Sequence, residues 1–172
     1  DLMTSVGITG QNRFTNHWLR YGALMKMEKV DETMREWEMR DSAGYSLPHT
    51  TDRLDLIYNM VSTNSEKSKH YEFYFQDTYR KEFDEGSLVL NYGVRLTHWD
   101  WNKETLFSPR ATVAFTPAKN DNLTYRFSTG VYHQTPFYKE MRDTITTNNN
   151  TMAFLRKDIK SQRSIHFVLG ME

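Results

Sequence analysis

Histidines and carboxylates are the side chains of this 172-residue chain that could carry catalytic or metal chemistry. Four of the six histidines, His49, His98, His133 and His166, are scattered over predicted loops and strand ends. No two histidines have HxxxH or HxH spacing, and the chain has no cysteine to complete a ligand set. The sequence therefore predicts neither a metal site nor a bound cofactor.

Acidic residues cluster in "EFDEG" and "DETMREWEMRD", where they alternate with Lys and Arg. Such mixed charge is typical of solvated loops and turns and does not indicate general acid–base catalysis. The chain also lacks GxSxG, the P-loop and GxGxxG, so no local signature supports an enzyme. A membrane hydrolase, with Ser and His meeting across strands, stays a remote alternative.

The charge balance and hydropathy exclude two further classes. The formal net charge is zero and the pI is about 7.2, so no basic field directs the chain to nucleic acid. Mean hydropathy is −0.75, and no run approaches the roughly 18 apolar residues of a membrane-spanning helix. Strands that alternate between lipid and water remain compatible with this hydropathy.

The elements that would position any site show a period of two. Between Ser87 and Trp99, one parity is apolar and the other polar; its apolar residues are Leu88, Leu90, Tyr92, Val94 and Leu96. The same alternation returns in Trp18–Met27, His70–Tyr79, Arg110–Pro117, Leu123–Gln134 and Ser164–Met171. Runs of about 9 to 12 residues suit tilted membrane strands better than sandwich strands, which average about 5 to 6.

These runs predict an antiparallel meander of about six strands. They are His17–Glu28, Lys69–Tyr79, Ser87–Thr97, Arg110–Thr116, Leu123–Gln134 and Arg163–Met171. The connections "KEFDEGS" and "PAKNDN" are tight, whereas the alternate connections Lys29–Lys67, His98–Pro109 and Thr135–Lys160 are long. Short turns at one sheet end and long loops at the other are typical of outer-membrane barrels.

Two segments of the first long connection are more ambiguous. The residues Leu54–Val61 are predicted to form a hairpin arm above the membrane, because a further crossing would exchange the two ends of the sheet. The residues Asp31–Arg40 fit either a short helix or an extracellular hairpin.

The segments "LNYGVRLTHWDWNKETLFSPRATVAFTPAKNDNLTYRFSTGVYHQTPFYKEMRD" and "SQRSIHFVLGME" closely resemble TonB-dependent outer-membrane receptors, especially those of the Bacteroidetes type. The resemblance implies an all-β fold, an up-and-down meander within a 22-stranded transmembrane barrel with long extracellular loops. It also implies that residues 1–172 are a partial barrel domain, with the plug domain, the TonB box and the closing strands outside the sequence. The absence of an initiator Met and of a signal peptide favours the same interpretation.

The implied function is import of a scarce nutrient across the bacterial outer membrane without enzymatic activity. The implied partners are outer-membrane lipid, the TonB complex through the plug segment, a small nutrient, and a surface lipoprotein where the nutrient is a glycan or peptide. Siderophore, haem, cobalamin, peptide and glycan all stay open as the nutrient. The alternative is a soluble all-β ligand-binding module, for example one that binds carbohydrate.

The two faces and the resemblance together give candidate site residues. The charged residues expected to line the lumen are Arg20, Glu72, Arg95, Arg110 and Arg126. In the family the long loops catch the nutrient, which points to Glu36–His49, Trp99–Phe107 and Phe137–Phe154. The aromatic candidates for stacking on the nutrient are Trp37, Trp99, Trp101, Tyr132 and Tyr138. Anchoring in an aromatic girdle is the competing role for Trp99 and Trp101.

Overall fold

The structure is a computed structural model that describes residues 1–40, 55–147 and 150–172. The described chain forms nine β-strands: β1 (Leu2–Arg13), β2 (His17–Arg40), β3 (Asp55–Phe83), β4 (Gly86–Trp99), β5 (Glu104–Pro117), β6 (Tyr125–Gln134), β7 (Arg142–Thr147), β8 (Asn150–Leu155) and β9 (Gln162–Met171). None of the described residues lies in a helix long and apolar enough to cross a membrane.

One sheet contains the main path of the chain in the order β1-β2-β3-β4-β5-β6-β9, and all neighbours on this path are antiparallel. This confirms the predicted all-β meander. Within the described residues β1 and β9 do not pair with each other, so the sheet is open. The sequence pattern does not predict the strand β1, in which Val6 and Ile8 alternate with Ser5, Gly7 and Thr9 but Met3 and Thr4 interrupt the pattern.

Short turns join β1 to β2, β3 to β4 and β5 to β6, all at one end of the sheet. At the middle turn Gly86 has a φ of 153°, which L-residues rarely adopt. A Cβ on Gly86 would lie 2.2 Å from the carbonyl oxygen of Thr116, so only glycine fits this crossing. The long connection predicted at His98–Pro109 is wrong, because β4 and β5 pair as far as Trp99 and Glu104 and leave a turn of four residues.

The strands β2 and β3 continue as a paired hairpin well beyond their neighbours, through Arg40 and from Asp55. The helix considered for Asp31–Arg40 is therefore replaced by the extended hairpin, and residues 55–61 form the predicted arm. The remainder of that connection, residues 41–54, lies outside the described residues. Between β6 and β9, the strands β7 and β8 (Arg142–Thr147 and Asn150–Leu155) pair as a small hairpin, which we call the loop hairpin.

The two faces of the sheet differ sharply. One face, here called the apolar face, carries Tyr21, Phe73, Val94, Val113 and Phe127, which the register places on the same side of five neighbouring strands. Phe73 is 54% exposed and Phe127 is 41% exposed, and no second layer of described residues packs on this face. A two-layer soluble sandwich would bury these rings, so the arrangement matches a sheet whose outer solvent is hydrocarbon.

Candidate functional site

The opposite face of the sheet, here called the polar face, carries the charged residues that the alternation predicted. Arg20 lies opposite Gln76, Glu72 opposite Thr97, Arg95 opposite Ser108, and Arg110 opposite both Gly93 and Gly130. Arg126, between Ala114 and Gly170, belongs to the same set. All five candidates thus share one face, and their exposure to a barrel lumen stays a prediction.

A cavity of about 560 Å³ lies on the polar face where the strands approach the connection between β6 and β9. Its wall contains the charged residues Lys26, Glu28, Glu72, Arg95 and Arg110. Gln134, Thr135 and Phe137, which follow β6, form the side contributed by the connection. The cavity therefore combines a charged strand surface with a rim from a long connection.

The two carboxylates of this wall already have partners. The Lys26 ammonium donates to Glu72 at 2.7 Å. Glu28 accepts a hydrogen bond from the Tyr138 hydroxyl at 3.4 Å and lies 4.0 Å from a ring nitrogen of His70. Both carboxylates are therefore already paired with neighbouring side chains.

The two arginines differ from these carboxylates. Neither Arg95 nor Arg110 belongs to an ion pair among the described residues. The guanidinium of Arg110 lies over the ring of Tyr132 at 4.5 Å, a cation–π contact that fixes its plane. By contrast Arg126 forms an ion pair with Glu172 at 3.0 Å.

A hydrogen bond of 3.0 Å joins the buried Ser108 hydroxyl to Nδ1 of His133 beside the arginines. Sequence spacing gave no sign of this pair, because the two residues are brought together by neighbouring strands. A hydrolytic triad would also need a carboxylate that orients the imidazole. No described carboxylate forms a hydrogen bond with His133, so the pair contributes polar groups to the cavity wall.

The predicted aromatic ligand contacts divide into buried and accessible residues. Trp99 is 2% exposed and Trp101 is 6% exposed, and both pack around the fully buried Met141. Trp99 also stacks on His70 at 5.0 Å. The connection after β6 folds back and covers both rings, and contact of either tryptophan with a nutrient or with lipid stays a prediction.

The other three aromatic candidates are separated in space. Trp37 is 66% exposed on the β2–β3 extension, in the same alternation set as Tyr21 and thus away from the cavity. Tyr138 packs against the Trp101 ring and bonds to the Ser68 hydroxyl at 3.0 Å; burial raises the pKa of its phenol. Tyr132 lies between Arg110 and His166. Only Tyr132 is connected to a cavity arginine, and contact with a ligand stays a prediction for all three.

The loop hairpin is held against the polar side of the β2–β3 extension. The Ser62 hydroxyl donates to the carbonyl oxygen of Ala153 at 2.8 Å, and Met60 pairs with Thr151. Arg142 forms an ion pair with Glu32. The Met60–Thr151 pair is a backbone ladder contact that places β8 beside the edge of β3, and the Ser62 side chain that bonds to Ala153 has the same parity as Glu72.

We expect Trp99→Ala to release the loop hairpin without preventing assembly of the sheet. Loss of a buried tryptophan costs about 3 to 5 kcal/mol, and here the lost contacts lie between Met141 and the end of β4. Hydrogen exchange in β7 and β8 of the assembled receptor should accelerate, while exchange in β4 and β5 should not. The exposed Trp37→Ala is the control, and equal acceleration in both variants would contradict the role of the buried cluster.

Glu104 fastens the end of the same connection to the turn between β4 and β5. Its Oε2 accepts hydrogen bonds from the Ser161 backbone amide at 2.9 Å, the Ser161 hydroxyl at 2.6 Å and the Asn102 side-chain amide at 3.0 Å. Burial acts to raise the pKa of this carboxyl, but these donors outweigh it and hold the pKa below its ordinary value of 4.5. Glu104 lies 13 residues before Pro117, beyond the roughly 9 to 11 residues that span a membrane.

The sign of this shift predicts how the attachment depends on pH. A lowered pKa means that the bonds stabilise the folded connection above pH 4.5 and are lost as the pH falls through the lower folded value. At pH 7, Glu104→Gln should therefore raise the intrinsic-rate-corrected exchange of the Ser161 amide by about tenfold. Glu140→Gln, which alters a carboxylate bonded to the Phe137 amide, is the control. Unchanged Ser161 exchange in Glu104→Gln would contradict this role.

An acidic residue, Asp77, lies within the apolar face and shares the parity of Phe73 and Phe75. Asp77 is 2% exposed and sits between Leu19 and Tyr92 in the ladder. Its Oδ2 lies 2.6 Å from Nδ1 of His17 and accepts a hydrogen bond from the Tyr92 hydroxyl at 2.8 Å. A carboxylate on such a face requires these partners, because burial of an unpaired charge is very costly.

Comparison with known families decides between the two fold interpretations. The family described as TonB dependent receptor-like, β-barrel, matches residues 4–172. The chain belongs to this receptor family. No curated protein and no solved structure matches the chain.

Membership in the TonB-dependent receptor family explains why the sheet has an uncovered apolar face and a charged opposite face. Proteins of this family are transporters of the bacterial outer membrane and not enzymes. The coarse role of the chain is therefore that of barrel strands in an outer-membrane receptor.

Proposed function

We propose that this chain forms part of the barrel of an outer-membrane receptor that binds a scarce nutrient and imports it with energy relayed by TonB. The observation that carries the proposal is the cavity on the polar face, which the connection between β6 and β9 borders. A membrane barrel needs an apolar outer face, and a receptor needs in addition a polar recess under its long connections. The apolar face and the cavity on the polar face support the proposal on these two points.

The proposal includes the partners that such a receptor needs. Lipid contacts the apolar face, and TonB acts through a plug segment that belongs to the same receptor but lies outside residues 1–172. The nutrient is a siderophore, haem, cobalamin, a peptide or a glycan, and a surface lipoprotein assists where it is a glycan or a peptide. Arg20, Glu72 and Arg126 contact the plug from the polar face.

Growth of the native organism tests this function. Strains lacking the receptor gene or the tonB gene are supplied with siderophore iron, haem, cobalamin, a peptide mixture or a glycan, each in turn as the limiting nutrient. We expect both deletions to abolish growth on the same nutrient and the full-length receptor gene to restore it. Normal growth of the receptor deletion on all five nutrients would contradict the proposal, as would recovery of the receptor in the soluble fraction.

A further inference from the structure

We infer that Arg95 and Arg110 form a binding site for an oxyanion, a carboxylate or phosphate group carried by the imported nutrient. The inference rests on the proposed function and specifies the chemical class of its ligand. Both residues line the cavity of about 560 Å³ and also a neighbouring trough of about 210 Å³ on the same face. The two guanidiniums are thus common to both recesses.

The ladder places the two arginines as a pair. Arg95 lies opposite Ser108, and Arg110 lies opposite Gly93, so they are diagonal neighbours on adjacent strands. Diagonal neighbours have Cα atoms roughly 7 to 8 Å apart, within reach of one another's long side chains. Two planar forks at this spacing can receive the oxygens of one carboxylate or phosphate.

Glycines flank Arg110 on both neighbouring strands. A Cβ at Gly130 would lie 3.1 Å from Cγ of Arg110, so glycine lets the Arg110 side chain pass over β6. Gly93 lines the trough and has no side chain that could occupy it. Tyr132 supports that guanidinium from one side at 4.5 Å.

The electrostatic balance of the wall favours an anion. Glu72 is bonded to Lys26, and Glu28 is bonded to Tyr138, so the carboxylates of the wall have partners. Within residues 1–40, 55–147 and 150–172 no carboxylate is paired with Arg95 or Arg110. The cavity therefore presents two cations whose strongest hydrogen-bonding partners must come from another molecule or another part of the receptor.

The position of Arg95 and Arg110 indicates that the oxyanion they bind belongs to the nutrient. The cavity that Arg95 and Arg110 line is bordered by Gln134, Thr135 and the 63%-exposed Phe137 of the long connection. Phe137 offers an apolar contact beside the cationic wall. A small molecule with an apolar or ring portion and an acidic group matches both surfaces.

Titration of the detergent-solubilised full-length receptor with citrate, with inorganic phosphate and with neutral glucose tests the inference. We expect calorimetry to detect millimolar binding of both anions and none of glucose. Arg95→Ala and Arg110→Ala should each weaken anion binding by about tenfold or more, because each removes charge-assisted hydrogen bonds. The anion affinity of Arg110→Lys should lie between those of the wild type and Arg110→Ala, since lysine keeps the charge but lacks the planar guanidinium.

Arg126→Ala is the matched control, because this arginine has the same charge on the same face but is paired with Glu172. Equal weakening by Arg126→Ala would overturn the inference, as would failure of citrate and phosphate to bind. If the wild-type receptor binds neither anion and the double variant Arg95→Ala/Arg110→Ala unfolds at a lower temperature than wild type, the two arginines pair with a carboxylate of the receptor itself. That result would also overturn the inference. None of these outcomes changes whether growth depends on the receptor and TonB, so the proposed function is tested separately.

Discussion

Replacing Val113 by arginine is expected to prevent assembly of the receptor in the outer membrane, whereas replacing the adjacent Thr112 by arginine is expected to leave assembly intact. Val113 lies on the apolar face between Leu90 and Phe127. Thr112 lies on the polar face between Asn91 and Ser128. The two native side chains have nearly the same shape, so the comparison isolates the face on which the new charge appears.

The expected difference follows from solvation. An arginine that faces lipid near the membrane midplane costs about 2 to 4 kcal/mol, a large part of the stability of most proteins. An arginine at Thr112 stays with polar neighbours and loses little more than the 3.0 Å hydrogen bond to Ser128.

The amount of heat-modifiable receptor in the outer-membrane fraction measures this effect. We expect Val113→Arg to be nearly absent from that fraction and Thr112→Arg to approach the wild-type amount. Comparable amounts of both variants would show that the two faces do not meet lipid and water as the exposed rings indicate.

Replacing His17 by leucine is expected to destabilise the sheet strongly, and adding Asp77→Leu is expected to restore most of the loss. His17→Leu leaves the buried Asp77 carboxylate with Tyr92 as its hydrogen-bonding side chain. Removing a hydrogen-bonding partner of a buried polar group costs about 1 to 3 kcal/mol and more where that group is charged, while replacing both partners with apolar residues is often nearly neutral. The double variant should therefore be more stable than the single variant.

Urea unfolding of the receptor in lipid vesicles measures the free energies for this cycle. The control is Tyr79→Leu, because His17 also packs against the Tyr79 ring with centroids 4.8 Å apart. If Tyr79→Leu costs as much as His17→Leu, the ring contact explains the loss. A double variant less stable than His17→Leu would contradict the electrostatic account.

The alternating pattern predicted much of this fold because a strand repeats every two residues and every second residue meets the same solvent. Leu88, Leu90, Val94 and Phe127 all lie on the face that the pattern assigned to them. The strand β1 is not predicted by this pattern, because Gly7 and Gly10 dilute its apolar content and Met3 and Thr4 interrupt the alternation. The extended β2–β3 hairpin was harder to predict, because its mixed charged residues fit a helix equally well.

The candidate site was predicted less completely. Arg95 and Arg110 were assigned to the polar face from parity, but the register between β4 and β5 is what makes them diagonal neighbours. The pairs Ser108–His133 and His17–Asp77 join residues 25 and 60 positions apart, so local spacing could not reveal them. The burial of Trp99 and Trp101 depends on how the connection after β6 folds back.

The sequence by itself determined the class of fold and the two faces of the sheet, because hydrophobic periodicity is a local property of each strand. Only the tertiary structure decided which side chains meet across strands and which aromatic rings are covered. Strand register and the path of a long connection depend on contacts between residues distant in the chain, and no local pattern specifies those contacts.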